Sequence, residues 1–536
     1  VDNDILPSCP VVVGVDKLLS TVEFNETNVM LAMNKLKPNL SGGPDCLPPL
    51  LFKRLKHCLA GPLAAIFSQL LSVAAVPEEW KQAIITPVFK KGAAGTVSNY
   101  RPISLTCVPC KIMERVISQQ MCRHFNDNHI LHKAQHGFLK GHSTCTNMLE
   151  SMNDWTLAIN HHCGVTVAYI DFSRAFDSVS QQKLIDVRLK SYGIAGDLIN
   201  RLRNFLFRRT HQTRIGTELS VVAKLLSGVI QGSTIGPLMF LTYINELIEI
   251  MDRCGVTIKL FADDAKVYAE IVDVCDTEKL QNALNKLVEW ADLWQLTISI
   301  SKCCILNIGR FYESNLKFVK YFINGNILPE VESCRDLGVI VSRDLAPREH
   351  INSIVLKAQQ RANIILRCFV SRNTSVLLRA YFTYVRPILE FNSVVWSPTL
   401  KCDIDSLERV QRRFTKRLPG MEFLSYTDRL IKVGLITLEL RRLHYSLIMC
   451  YKIVFGIIDL EFDDFFVISP LSTTRGHSYK LYKQRCEGAR NKFFSQTVIE
   501  VWNFLSADLV DFSSLSAFKR TIKLADLSLF LKASMD

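Results

Sequence analysis

Three carboxylates carry the most pointed chemistry in the sequence: Asp171 and the adjacent pair Asp263 and Asp264. Asp171 closes the run Val165-Thr-Val-Ala-Tyr-Ile-Asp171, in which β-branched and apolar residues stop abruptly at an acid. Asp263 and Asp264 stand between the strand-like runs Val256-Thr-Ile-Lys-Leu-Phe-Ala and Ala-Lys-Val-Tyr-Ala-Glu, a pattern that predicts a β-hairpin with the acids at its turn. An Asp-Asp turn by itself is usually structural, because Asp caps turns by bonding the local backbone. Here apolar Leu260, Phe261 and Ala262 lead straight into it. The turn should therefore emerge from a buried sheet, where carboxylates need a cation. Bringing Asp171 beside Asp263 and Asp264 would give an all-oxygen site suited to Mg²⁺, with Mn²⁺ as a substitute. Two ions sharing such a site stand roughly 3.5–4 Å apart in phosphoryl transfer, one at the attacking oxygen and one at the leaving oxygen.

These acids need elements to hold them. After Asp171, Ser180-Gln-Gln-Lys-Leu-Ile-Asp-Val-Arg-Leu-Lys reads as a capped helix that closes before Gly193, giving a strand-acid-helix unit. Between the acidic motifs, Gln231-Gly232-Ser-Thr-Ile-Gly236-Pro237-Leu precedes a helical run from Met239 to Ile250, and glycines ahead of a helix let backbone approach a ligand closely. The segment Asp276 to Leu296 carries Leu280, Leu284, Leu287 and Trp294 at helical spacing, a core stripe that should back the sheet.

At 536 residues, with 48% hydrophobic and 21% charged residues, the chain can bury a large core and should divide into several lobes. Its formal net charge of +13 favours a polyanionic partner, and residues 346 to 446 hold 17 Lys and Arg against 8 Asp and Glu. The 17 cysteines show no disulfide framework, which suits a reducing compartment, and Cys107-Val-Pro-Cys110 lacks a second pair to complete a zinc site. The most apolar stretch, Gly61 to Val76, is too short and too polar to span a bilayer, so no membrane partner is expected. The chain begins at Val1 without a signal peptide and reads as a fragment of a longer polyprotein.

The order of motifs is specific. Tyr169-Ile-Asp171-Phe-Ser-Arg-Ala-Phe176-Asp177, then Gln231-Gly232-Ser-x-x-Gly236-Pro237-Leu, then Phe261-Ala-Asp263-Asp264 resembles the polymerase core of non-LTR retrotransposon reverse transcriptases of the jockey-like and LINE-type group. Upstream, Gly43-Pro44-Asp45, Pro77-x-x-Trp80, Pro87-Val-Phe-Lys90-Lys91-Gly92, Asn99-Tyr-Arg101-Pro-Ile-Ser-Leu and Gln135-His-Gly137-Phe extend the resemblance, and Leu337-Gly338-Val and Val410-Gln-Arg-Arg-Phe-Thr-Lys416 continue it downstream.

The resemblance implies an α+β right hand: an N-terminal extension and fingers over 1–164, an antiparallel-sheet palm over 165–345, a basic helical thumb over 346–446 and a C-terminal helical region over 447–536. It implies an RNA-directed DNA polymerase that joins a dNTP to a primer 3′-hydroxyl on an RNA template, releasing pyrophosphate, in target-primed reverse transcription. Asp171 and Asp263 would be metal ligands, with Asp264 completing the catalytic cluster and Asp177 structural. Lys90 and Arg101 would neutralise the triphosphate. Phe172, Gln231 and Gly232 would border the nucleotide, Phe176 would crowd the ribose 2′ position, and Lys302 matches a lysine that donates a proton to pyrophosphate. Arg409, Arg412, Arg413, Lys416 and Arg417 would grip the template-primer backbone. The family usually shows Asn at Ser299, Thr at Cys303 and Lys at Arg174. Its full proteins commonly carry an endonuclease that nicks target DNA; no such domain fits before residue 30, so it is expected in the full-length protein. The expected setting is intracellular, nuclear or cytoplasmic. Two other readings stay open: an RNA-templated RNA polymerase, against which the bulky Phe176 argues, and a non-enzymatic RNA-binding scaffold.

Overall fold

The computed structural model describes residues 6, 7, 12, 14, 17–311, 319–470 and 476–533. Among them the strands run in chain order as β1 Gln82–Phe89, β2 Tyr100–Leu105, β3 Gly164–Asp171, β4 Thr210–Ile215, β5 Glu218–Leu219, β6 Ala223–Lys224, β7 Thr257–Phe261, β8 Asp264–Ile271, β9 Cys304–Ile308, β10 Phe322–Ile323, β11 Asn326–Ile327, β12 Ser333–Asp336 and β13 Val339–Ser342. Helices outnumber them, and the class is mixed α+β as expected.

The central sheet has the order β7-β8-β3-β9, with every neighbouring pair antiparallel. Alternation along β3 sorts its side chains onto two faces. Ala168 and Ile170 join Val267, Ile258, Leu260 and Ile305 in one core, which also takes in Ile112, Met239, Leu284 and Leu287 from the helices Val108–Asp127, Gly236–Ile244 and Val274–Leu293. Val165 and Val167 join Tyr268, Leu306 and Ile308 in a second core, shared with Val339 and Val341 of the β12–β13 hairpin and with the helices that follow it. The sheet is the partition between two hydrophobic cores.

A second, mixed sheet runs β2-β1-β4-β5, with β6 also on β4; β1 is antiparallel to β2 and parallel to β4. The predicted stripe helix forms as Val274–Leu293, started by an Asp273 capping box and ending at Trp294. Ser180 caps the helix after Asp171 by accepting from the Lys183 N–H, but the helix continues through a π-helical segment, Leu184–Leu189, a change in winding that no residue pattern announced.

After β13 come the helices Arg348–Cys368, Thr374–Tyr384, Lys401–Lys416, Leu438–Val454, Phe494–Phe504 and Leu515–Thr521. The expected boundary at 446 falls inside Leu438–Val454, so the last two segments share an element. The apolar stretch near Gly61 is a helix, Lys56–Ser72, that buries Ala60, Leu63, Ala64, Phe67 and Leu71. Among the described residues no helix is long and apolar enough to cross a membrane.

Candidate active site

β3 and β8 pair so that Asp171 stands directly opposite Asp264, and β7 and β8 pair so that Phe261 stands opposite Asp264. Ala262 and Asp263 therefore form a two-residue turn, and Asp264 belongs to the strand rather than the turn itself. Ala262 has φ 58°, a left-handed conformation that usually goes to glycine. Directly opposed residues share a face, so Asp171 and Asp264 project together, with Asp263 beside them at the tip.

The carboxylates strain against one another. Burial, then the charges of Asp263 and Asp171, push the Asp264 carboxyl up to about 6. Burial followed by the Asp171 charge raises Asp263, while Arg101 and Lys90 pull it down. Asp171 is held by the Lys302 ammonium, Nζ to Oδ1 2.8 Å. As the side chains stand, among the described residues no three His, Cys, Asp or Glu converge as a formed ligand group. The donor set is nonetheless all oxygen and short of positive charge, which fits a hard divalent cation. A cavity of about 140 Å³ opens behind the acids, lined among others by Asp171, Asp264, Lys302, Cys334 and Asp336.

Around the acids the other expected residues fall into place unevenly. Lys90, just past the end of β1, and Arg101, opposite Val88 on β2, are exposed, and their charges reach Asp263. Phe176 stacks on Phe240, centroids 4.2 Å apart and planes 14° from parallel, and meets the edge of Phe138. The Gln231 amide donates to Asp177 Oδ1 at 2.7 Å, which gives the expected structural role of Asp177 a content: it aims Gln231. Gly232 has φ 113°, and a Cβ there would lie 2.4 Å from the Ser104 carbonyl oxygen, so this glycine lets the loop seat on β2, where Ser104 N–H donates to Gln231 O at 2.7 Å. Phe172 lies apart from these side chains. Its ring is 4% exposed and turned edge-on to Trp290 in the core, because the residue after Asp171 points to the opposite side of the chain.

The basic cluster on Lys401–Lys416 also divides. Arg409, Arg413, Lys416 and Arg417 are exposed, with Arg417 donating to Asn363 at 2.9 Å, whereas Arg412 lies half-buried over the Tyr426 ring. The departures from the family pattern sit just behind Asp171: Ser299 N–H donates to the Asp171 carbonyl, and Cys303 contacts Ser299 O. Arg174 is left-handed and precedes the short helix holding Phe176.

Sequence reasoning missed the buried polar residues that hold this scaffold. Glu114 accepts from the Thr234 and Ile235 N–H groups at 2.7 and 3.2 Å and so anchors the loop between Gln231 and Gly236. Lys266, two residues past Asp264, forms a buried ion pair with Asp336 at 2.6 Å, tying β8 to β12. For each, the partner lies far away in sequence, 120 residues on for Glu114 and 70 for Lys266. Gln135 belongs to the Gln135-His-Gly137-Phe motif, which assigns it no role; it proves to contact the acidic turn.

Residues 88–341 match the family described as reverse transcriptase (RNA-dependent DNA polymerase). Over that segment the chain is similar to reverse transcriptases. The matched segment spans Lys90, Arg101, all three acids, Gln231, Lys302, β12 and all but the last residue of β13. The chain is also similar to the RNA-directed DNA polymerase from mobile element jockey of Drosophila melanogaster, 25% identical over 412 residues, which is 75% of this chain and 44% of the relative. With the probable RNA-directed DNA polymerase from transposon BS of the same species it shares 26% identity over 373 residues, 66% of this chain and 40% of the relative. With the jockey polymerase of Drosophila funebris the identity is 25% over 398 residues, 72% and 43% of the two chains. The chain spans less than half the length of these curated relatives.

Proposed function

We propose that this chain is the polymerase portion of a non-LTR retrotransposon reverse transcriptase, joining dNTPs to a primer 3′-hydroxyl on an RNA template. The single observation that carries the reading is the pairing of Asp171 with Asp264 across β3 and β8, with Asp263 at the adjoining turn, inside the segment that matches the reverse transcriptase family. In this reading the mixed sheet and its helices are fingers, the central sheet the palm, and the basic helices after β13 the thumb. Asp171 and Asp263 would hold Mg²⁺ or Mn²⁺, with Asp264 beside them, and the ions would supply positive charge to the attacking and departing oxygens.

The chain's own groups do the rest. Lys90 and Arg101 lie on the β1–β2 hairpin within electrostatic reach of the acids and would neutralise the triphosphate. Phe176, stiffened from below by Phe240, would close the space a ribose 2′-hydroxyl needs. Gln231, aimed by Asp177, and the seated Gly232 loop would border the nucleotide. Lys302 stands beside Asp171 and is the group we assign to protonate pyrophosphate. Arg409, Arg413, Lys416 and Arg417 would track the template-primer phosphates. Nicking of target DNA would fall to an endonuclease outside this chain.

The test is primer extension on an RNA template with dNTPs and Mg²⁺, run beside the Asp263→Ala, Asp264→Ala double variant. Extension by the parent and none by the variant is expected. A folded, RNA-binding parent that never extends would instead leave a nucleic-acid scaffold.

A further inference from the structure

The strained Ala262 turn does not hold itself. Its first residue, Ala262, sits in a backbone region that costs energy for any residue with a Cβ. The segment Ala134–Gly137 lies against it instead. Leu260 N–H donates to Ala134 O at 2.9 Å, and His136 N–H donates to Leu260 O at 2.8 Å. Asn147 adds a second donor to Leu260 O at 3.1 Å. At the turn itself the Gln135 side-chain oxygen accepts two backbone N–H groups, from Ala262 at 2.9 Å and from Gly137 at 2.7 Å.

Gln135 is 1% exposed, so these bonds form away from water. Gly137 completes the fit: a Cβ there would stand 2.4 Å from the Ala262 nitrogen, where no neighbour can give way. One oxygen thus ties the residue preceding Asp263 to a segment far upstream, with a separation of 127 residues. The amide nitrogen of Gln135 has no hydrogen-bond partner among the described residues. Only the acceptor half of this side chain is used.

We propose that Gln135 is a positioning residue for the reaction: its side-chain oxygen fixes the Ala262 N–H, and through it the direction in which Asp263 presents its carboxylate. The proposal rests on the polymerase reading above for its kinetic consequences, but its structural core does not. Removing the acceptor while keeping the bulk, as in Gln135→Leu, leaves the Ala262 N–H buried and unpaired and lets the turn relax. Gln135→Glu keeps an acceptor oxygen in the same place and exchanges the unpartnered amide for a second, acidic oxygen.

Two measurements separate the possibilities. Hydrogen exchange at the Ala262 amide in the metal-free protein should be slow in the parent, at least about tenfold faster in Gln135→Leu and slow again in Gln135→Glu. In primer extension, Gln135→Leu should lose about 10²-fold in kcat, the scale of a small misplacement, with KM for dNTP and affinity for primer-template unchanged. Gln135→Glu should recover most of that loss. Unchanged Ala262 exchange in folded Gln135→Leu overturns the proposal, as does a Gln135→Glu variant that falls as far as Gln135→Leu. A parent that fails to extend while its exchange pattern holds defeats the polymerase reading and leaves the clamp standing.

Discussion

Single side chains decide two outcomes here. Phe176 is wedged between Phe240 and Phe138, so shrinking it opens space without moving the acids. Phe176→Ala should cut the preference for dNTPs over rNTPs by about 10- to 100-fold, read as the ratio of kcat/KM values in primer extension, while dNTP extension persists. The Lys266–Asp336 pair is buried on both sides. Lys266→Met should cost about 3–5 kcal/mol in urea unfolding, because it strands a buried carboxylate, and adding Asp336→Leu should return most of it. A single variant as stable as the parent would deny the pair that weight. At this scale the acids are legible from sequence because an apolar run that ends in Asp is rare in a solvated loop. Phe172 is not, since alternation sends it away from Asp171 into Trp290. Gln135, Glu114 and Lys266 are not legible as positioning groups either, since each acts on a partner far away in sequence.

At the scale of elements, the β12–β13 hairpin is held to the helix Arg348–Cys368 by His350. Its Nδ1 accepts from the Ile340 N–H at 3.2 Å, and its ring meets Trp396 edge-on. Burial first, then the charges of Arg335 and Lys357, pull His350 down to about 4 from its ordinary 6.5. The unfolded chain therefore takes up this proton before the folded one does. The stability involved, about 3 kcal/mol, is fully present above pH 6.5 and lost as pH falls toward 4. Denaturant titrations across that window should show a steep decline in the parent and a flatter one in His350→Gln; equal slopes would exclude His350 as the cause. On the neighbouring helix, Arg413→Ala with Lys416→Ala should weaken primer-template binding across sequences and reduce the slope of log affinity against log salt by about one for each phosphate left without its cation. The strands around the acids and the helix Val274–Leu293 are readable from alternation, periodicity and composition, whereas the run from Met239 to Ile250 divides into two helices, Gly236–Ile244 and Glu246–Arg253. The π-helical Leu184–Leu189 is not readable, because winding there depends on packing rather than composition.

Across the whole molecule, the C-terminal region belongs to the fold rather than trailing from it. Trp502 and Phe518 are buried in the same core as Val165 and Val167 of β3, Tyr451 stacks on Phe518, and Arg490 donates to Asn153 at 2.7 Å on the helix Thr144–Asn160. Losing single rings of this kind costs about 3–5 kcal/mol each, and an entire domain is stable by only about 5–15 kcal/mol. Deleting residues from 456 onward should therefore give a chain that aggregates or unfolds without a cooperative transition in urea; a soluble truncation with a sharp transition would contradict this. In sequence this region shows alternating helical runs without a site, since what it packs against lies hundreds of residues earlier. The central strand also sets a timetable. β3 bonds on one side to β9, with Thr166 reaching Asn307 across 141 residues, so during synthesis its edge stays open until that distance has been translated. At roughly 5–20 residues per second the ribosome needs about 7 to 28 s to supply the missing strand, and for that interval the nascent chain must be kept from pairing with its neighbours.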